Sequence, residues 1–157
     1  IACAMTGVNF TACGPSDLFP KAELVEKAKE IAKRQGCTVS LNSNVDTAVK
    51  GADVLYTDIW VSMGEPDDIW EKRIKLLSPY QVNRRVMDLA SPDAIFLHCL
   101  PSFHDRNTTI GEDIYKKFGI PEMEVTDEVF TSDRSLVFEE AENRMHTIKA
   151  VIFATMC

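Results

Sequence analysis

From Thr38 to Thr57 the chain passes from a β-branched run to a short helical stretch and back to a β-branched run, and this alternation limits the possible folds more than any other feature. Thr38 to Leu41 reads as a strand, Val45 to Lys50 as a short helix, and Asp53 to Thr57 as a second strand. Strands joined through helices build βαβ units, and βαβ units build parallel sheets. The same grammar extends to both sides. Val8 to Cys13 alternates toward a strand and is broken by Gly14-Pro15-Ser16-Asp17. From Pro20 to Gly36 the period becomes helical, with Leu24, Val25, Ala28, Ile31 and Ala32 on one face and charged residues on the other. Downstream, Trp70, Ile74 and Leu77 keep helical spacing, and a second helix is expected over Asn83 to Leu89.

The next strand, Ala94 to His98, carries no charge until its last residue and runs into Cys99-Leu100-Pro101, where proline forbids further ladder pairing. In open parallel sheets ligands collect beyond the carboxyl ends of the strands, so this is a place to look for chemistry. After a polar loop from Ser102 to Gly111, a short helix is expected over Glu112 to Phe118, a fifth strand over Met123 to Thr126, and a terminal helix from about Ser135. In that helix Ala141, Met145, Ile148 and Ile152 share a face. The predicted architecture is α/β: a doubly wound, mostly parallel sheet with helices on both faces (Rossmann-like). Such a sheet places its first strand in the middle, and Ile1 to Met5 reads as the apolar end of a helix closed by Gly7, so the first strand is expected to lie before Ile1.

Seventeen basic residues scattered among 24 acidic ones, a net charge of -7, argue against nucleic acid as a partner. No apolar run approaches the ~20 residues needed to span a bilayer. Five cysteines without a CxxC pair suit reduced thiols in the cytoplasm better than a disulfide framework. No GxGxxG or GxxxxGK[ST] occurs, so an ordinary dinucleotide or P-loop site has no support.

Three clusters carry possible chemistry. In the first, Asp58 to Glu65, a carboxylate, the Ser62 hydroxyl and Gly64 follow a buried strand; Asp58 either holds an ammonium group or caps local backbone N–H groups. The second joins His98-Cys99-Leu100-Pro101 to His104-Asp105-Arg106. A thiol beside an imidazole suggests a nucleophile, or a metal site with His104, but adjacent strand residues face opposite ways, so His98 and Cys99 are not arranged as a nucleophile–base pair. The third is Glu139 to His146, where Arg144 is either an oxyanion donor or the i, i+4 partner of Glu140.

Together these stretches resemble the carboxyl-terminal domain of ornithine carbamoyltransferases. The matching segments are Asp58-Ile59-Trp60-Val61-Ser62-Met63-Gly64-Glu65, Phe96 to Pro101, Met123 to Phe130, and Glu142 to Ala150, in register across nearly the whole chain. The resemblance implies transfer of a carbamoyl group from carbamoyl phosphate to the δ-amine of L-ornithine, giving citrulline and phosphate, without cofactor or metal. Asp58 would contact ornithine's α-amino group, with Ser62 and Met63 holding the amino-acid end and Gly64 supporting that loop. Cys99 would sit near the reacting amine as a catalytic residue, where it or a neighbouring acceptor could receive the amine's proton, Leu100 would offer its carbonyl to the carbamoyl NH2, and Arg144, also catalytic, would contact carbamoyl phosphate, with His98 and Pro101 in support. Aspartate-using relatives carry proline where this chain has Cys99, and Ser102 departs from a frequent alanine.

In the family the phosphate is held chiefly by an amino-terminal domain with an STRTR-type loop, part of it from a neighbouring subunit of a trimer. No such sequence occurs here. The resemblance therefore implies one domain over residues 1–157, the ornithine-binding half of a homotrimer or a multiple of trimers, inactive by itself. The alternatives are a carbamoyltransferase for a different amine and a non-catalytic amino-acid-binding α/β module.

Overall fold

The computed structural model describes residues 1–61 and 65–156, and the chain divides into two units, Ile1–Lys50 and the chain from Gly51 onward. In the first, α1 (Ala2–Met5) leads to β1 (Phe10–Cys13), a 3-10 turn at Ser16–Leu18, α2 (Ala22–Gln35), β2 (Val39–Asn42) and α3 (Val45–Ala48). Helix α2 buries Val25, Ala28 and Ala32, while Leu24, expected on the same face, stays exposed. Gly36 closes α2 in the left-handed region at φ 73°, a conformation glycine adopts without a Cβ penalty. Asn44 caps α3 by accepting the Thr47 N–H. Strands β1 and β2 pair in parallel, Phe10 opposite Val39 and Cys13 opposite Asn42.

The second unit contains β3 (Val54–Thr57), α4 (Asp67–Leu77), a 3-10 turn at Ser78–Tyr80, α5 (Arg84–Leu89), β4 (Ile95–His98), α6 (Thr109–Phe118), α7 (Asp127–Phe130) and α8 (Val137–Met156). Its core gathers Trp60, Val61, Trp70, Ile74, Phe103, Ile114 and Met123. Helix α6 begins earlier than its apolar pattern indicates, because the Thr108 hydroxyl accepts the Gly111 N–H and caps it. Strands β3 and β4 pair in parallel with Val54 opposite Ile95 and Thr57 opposite His98. Arg134 anchors the approach to α8: Nε donates to the Ala94 carbonyl at 2.7 Å and Nη2 to those of Ser91 at 2.9 Å and Met87 at 3.3 Å. The Leu136 N–H then donates to Phe96 O, so α8 starts against β4.

One expectation needs correction. The fifth strand over Met123 to Thr126 is a single bridge, Val82 to Val125, because the segment enters from Pro121 and turns into α7 at Asp127, leaving no length for a ladder. The apolar face of α8 is not covered: Val137 is buried, but Met145, Ile148 and Ile152 are 49–54% exposed. Full burial of an aliphatic side chain is worth ~1.5–3 kcal/mol, so this face forgoes several kcal/mol as it stands. Each described pair of strands is parallel and flanked by helices within its own unit, which makes the chain an α/β protein. No helix among the described residues is long and apolar enough to cross a membrane.

Candidate functional site

The parallel register of β3 and β4 builds the site. Tyr56 lies opposite Leu97 and Thr57 opposite His98, so the next pair in line, just past both strand ends, is Asp58 and Cys99. Side chains two apart on a strand share a face, which sets Tyr56 and Asp58 beside Leu97 and Cys99, and turns Thr57 and His98 to the other side. The Cys99 thiol accordingly donates to Asp58 Oδ1 at 2.8 Å. The same oxygen accepts the Ile59 N–H at 2.8 Å, and no protein donor among the described residues occupies Oδ2. Thus Asp58 does cap local backbone, and it also keeps one oxygen open.

Electrostatics then fix the state of the thiol. Burial, the hydrogen bond to Asp58 and the negative charge of Asp58, with a smaller contribution from Glu140, push Cys99 up to about 11. At neutral pH it is a thiol that donates, not a thiolate that attacks. Desolvation, then the Glu140 carboxylate, also push the Tyr56 phenol up to about 12, with Cys99 and Asp58 adding to the effect. Tyr56, Asp58, Cys99 and Glu140 therefore share one electronegative patch.

On the opposite face His98 is fully buried against a carboxylate that sequence reasoning missed. Its Nε2 lies 3.3 Å from Glu124 Oε1, both side chains wholly inaccessible, at an angle that leaves Nε2 without a well-directed hydrogen bond. Glu124 Oε1 also accepts the Phe103 N–H at 2.7 Å and the Ser102 hydroxyl at 3.3 Å, tying the loop after Pro101 back to the His98 strand. The His98 Nδ1 contacts the Cys99 carbonyl. A signal for Glu124 existed: one acid inside Met123-Glu124-Val125, all apolar otherwise, must find a partner if buried.

Leu100 is exposed and joined to Pro101 by a cis peptide bond. Arg144 stands exposed on α8, and among the described residues no carboxylate pairs with it, Glu140 included. The structure thus brings Asp58 and Cys99 together, with His98 one residue away on the other face, and makes no contact between these and Arg144. Ser62, Met63 and Gly64 lie outside the described residues. Two shallow hollows of the second unit, one lined by Ile74, Lys75 and Phe118 and the other by Trp60, Gln81 and Glu122, include none of Asp58, Cys99 or Arg144. The strand-end patch is an open surface.

Among the described residues, the group of side chains that could hold a metal includes none of this patch: the ligand atoms of His104, Asp105 and Asp127 lie within 4.8 Å of one another. Those groups already satisfy each other, since His104 Nδ1 meets Asp127 Oδ1 at 2.8 Å while its ring stacks on Phe130 at 3.7 Å. Cys99 is not among them.

Residues 1–155 match the family described as aspartate/ornithine carbamoyltransferase, Asp/Orn binding domain. The catabolic ornithine carbamoyltransferase of Treponema denticola is 67% identical over 157 residues, covering 100% of this chain and 46% of that protein. The ornithine carbamoyltransferase of Staphylococcus aureus (strain Newman) is 55% identical over 154 residues, 98% of this chain and 46% of its own length. Among solved structures, ornithine carbamoyltransferase from Gloeobacter violaceus aligns with TM-score 0.78 at 34% identity over 99% of this chain and 45% of that one. The Pyrococcus furiosus enzyme aligns with TM-score 0.79 at 35% identity, over 96% and 42%. The chain spans about half the length of the curated relatives it matches.

Proposed function

The chain belongs to the aspartate/ornithine carbamoyltransferase family as its Asp/Orn-binding domain, and from that membership we propose that residues 1–157 form the ornithine-binding domain of an enzyme that carbamoylates the δ-amine of L-ornithine to citrulline. The observation that carries this reading is the Asp58–Cys99 contact at 2.8 Å beyond the carboxyl ends of two parallel strands. It is a carboxylate with a free oxygen beside a thiol that stays protonated. Each strand pair, parallel and flanked by helices, supports a doubly wound, Rossmann-like architecture.

The chemistry needs no protein nucleophile. The attacking atom is the substrate's own δ-amine, which titrates near the lysine value of ~10.4 in water and must shed a proton before it adds to the carbonyl of carbamoyl phosphate. Asp58 Oδ2 receives the α-ammonium group. Ser62 and Met63 hold the same end on the loop supported by Gly64, Leu100 offers its carbonyl to the carbamoyl NH2 beside cis-Pro101, and the unpaired Arg144 guanidinium meets the phosphate and the developing oxyanion. A Cys99 thiol at about 11 cannot be the initial proton acceptor at neutral pH; the δ-ammonium gives its first proton to water on binding and its second to the departing phosphate, while Cys99 orients the amine through its sulfur and its hold on Asp58. His98 and Glu124 brace the turn from below.

The open patch and the uncovered apolar face of α8 support completion by the rest of a longer polypeptide in a homotrimer or a multiple of trimers, because carbamoyl transfer requires fixed phosphate donors and exclusion of water. The 157 residues alone are therefore inactive, and citrulline formation by them alone would contradict this. The free thiols of Cys3, Cys13, Cys37 and Cys99 support a cytoplasmic setting. The role assigned to the thiol is tested by Cys99→Ala in the full-length enzyme. It lowers kcat with no covalent intermediate in either protein, whereas a carbamoyl thioester trapped on the wild type would overturn the assignment.

A further inference from the structure

Glu140 occupies an unexpected place. It sits in the first turn of α8, four residues before Arg144 on the same helical face, where an intrahelical ion pair would be ordinary. That pair is not formed. The Glu140 carboxylate is turned instead to the strand-end patch, where it faces the Tyr56 hydroxyl and acts on Cys99. The start of α8 is pinned there: Leu136 N–H donates to Phe96 O in β4, and Glu140 N–H donates to Leu136 O at 2.9 Å. Its Oε2 is shielded from solvent and has no hydrogen-bond partner. A carboxylate oxygen withdrawn from water and left unbonded costs free energy unless a donor arrives.

We propose that Glu140 is a further binding residue of this site, a carboxylate that receives the side-chain ammonium group of the carbamoyl acceptor, with the Tyr56 hydroxyl positioning it. Asp58 and Glu140 then divide the substrate's two ammonium groups between them, one at the loop after β3 and one at the first turn of α8. This selects an acceptor with a cationic side chain over an anionic one. Among the described residues the shielded Glu140 oxygen takes no bond from Arg144, its nearest candidate partner by helix spacing, which leaves that guanidinium to the phosphate.

The inference rests on the carbamoyl-transfer reading, and one set of measurements separates the two. In the full-length enzyme, Glu140→Gln raises KM for ornithine about 10-fold, with a smaller effect on kcat, because the lost interaction already exists in the bound substrate. Glu140→Asp, which keeps the charge on a shorter arm, recovers part of that loss. The decisive readout is L-norvaline, the same skeleton without the δ-amino group: its inhibition constant is unchanged by Glu140→Gln, whereas a merely structural defect weakens ornithine and norvaline together. Equal weakening of both ligands, an unchanged ornithine KM, or an Asp variant no better than Gln overturns the role of Glu140 while transfer itself stands. A wild-type enzyme that forms no citrulline overturns both.

Discussion

A protonated Cys99 has a measurable consequence at ordinary pH. A thiol titrating at the usual 9.0 is about one-tenth thiolate at pH 8, whereas one at about 11 is about one-thousandth, so alkylation by iodoacetamide, which consumes thiolate, slows roughly 100-fold. The assay follows the Cys99 peptide by mass spectrometry during alkylation of the folded protein, with the urea-unfolded chain as reference. Slow reaction through poor access alone would show an ordinary midpoint near 9, so the profile must be taken across pH. The expected log rate rises by one per pH unit through pH 10 without levelling, while the unfolded reference bends near 9. Asp58→Asn removes both the acceptor at 2.8 Å and its charge, leaving burial and Glu140 as causes, and speeds Cys99 alkylation at pH 8 by ~3–10-fold. A folded Cys99 that alkylates at the unfolded rate at pH 8, or a rate indifferent to Asp58→Asn, would refute the reasoning.

The rest of the structure gives three further expectations. Glu124→Ala strips the partner from buried His98 and orphans the Phe103 N–H and Ser102 hydroxyl; it costs ~3–5 kcal/mol in urea unfolding, and Glu124→Gln, which keeps an acceptor, costs less. Arg134→Ala removes three bonds to the carbonyls of Met87, Ser91 and Ala94 and lowers unfolding free energy by ~2–3 kcal/mol, with Lys restoring at most part of it. Cys99 and Tyr56 both have folded values above their ordinary ones, about 11 and about 12 against 9.0 and 10.0. Their contribution is therefore complete below pH 9 and is lost as pH rises through 9 to 11 for the thiol and 10 to 12 for the phenol, visible as a Tm that falls more steeply above pH 9 in the wild type than in Asp58→Asn.

How far the site was legible follows from particular residues. Asp58 and Cys99 could be found because each ends an apolar strand, and parallel register aligns strand ends without any need to know the loops. The separation of His98 from Cys99 was legible for the same reason, since pleat alternation is local. Glu124 was not, because Met123 to Thr126 imitates a strand, and only the tertiary path through Pro121 into α7 shows it to be a bridge that delivers an acid to His98. Glu140 was weighed only as one of two alternatives for Arg144, because i, i+4 spacing permits an ion pair without requiring one and says nothing of a third direction for the carboxylate. The α8 face was identified correctly as apolar, yet periodicity says only that a face wants cover, not which part of a polypeptide supplies it. Thr108 escaped because a cap lies outside the apolar repeat that announces its helix.

The central claim, that these residues select ornithine for carbamoyl transfer, is tested most directly by the full-length enzyme's kcat/KM for competing acceptors with carbamoyl phosphate. An Asp58 oxygen and a Glu140 oxygen that each await an ammonium group predict L-ornithine above N-acetylornithine and L-aspartate, each of which lacks one of the two groups, by ~10–150-fold, since a lost charged hydrogen bond costs ~1.5–3 kcal/mol. Equal or better use of aspartate or N-acetylornithine, or no citrulline from ornithine, would contradict it.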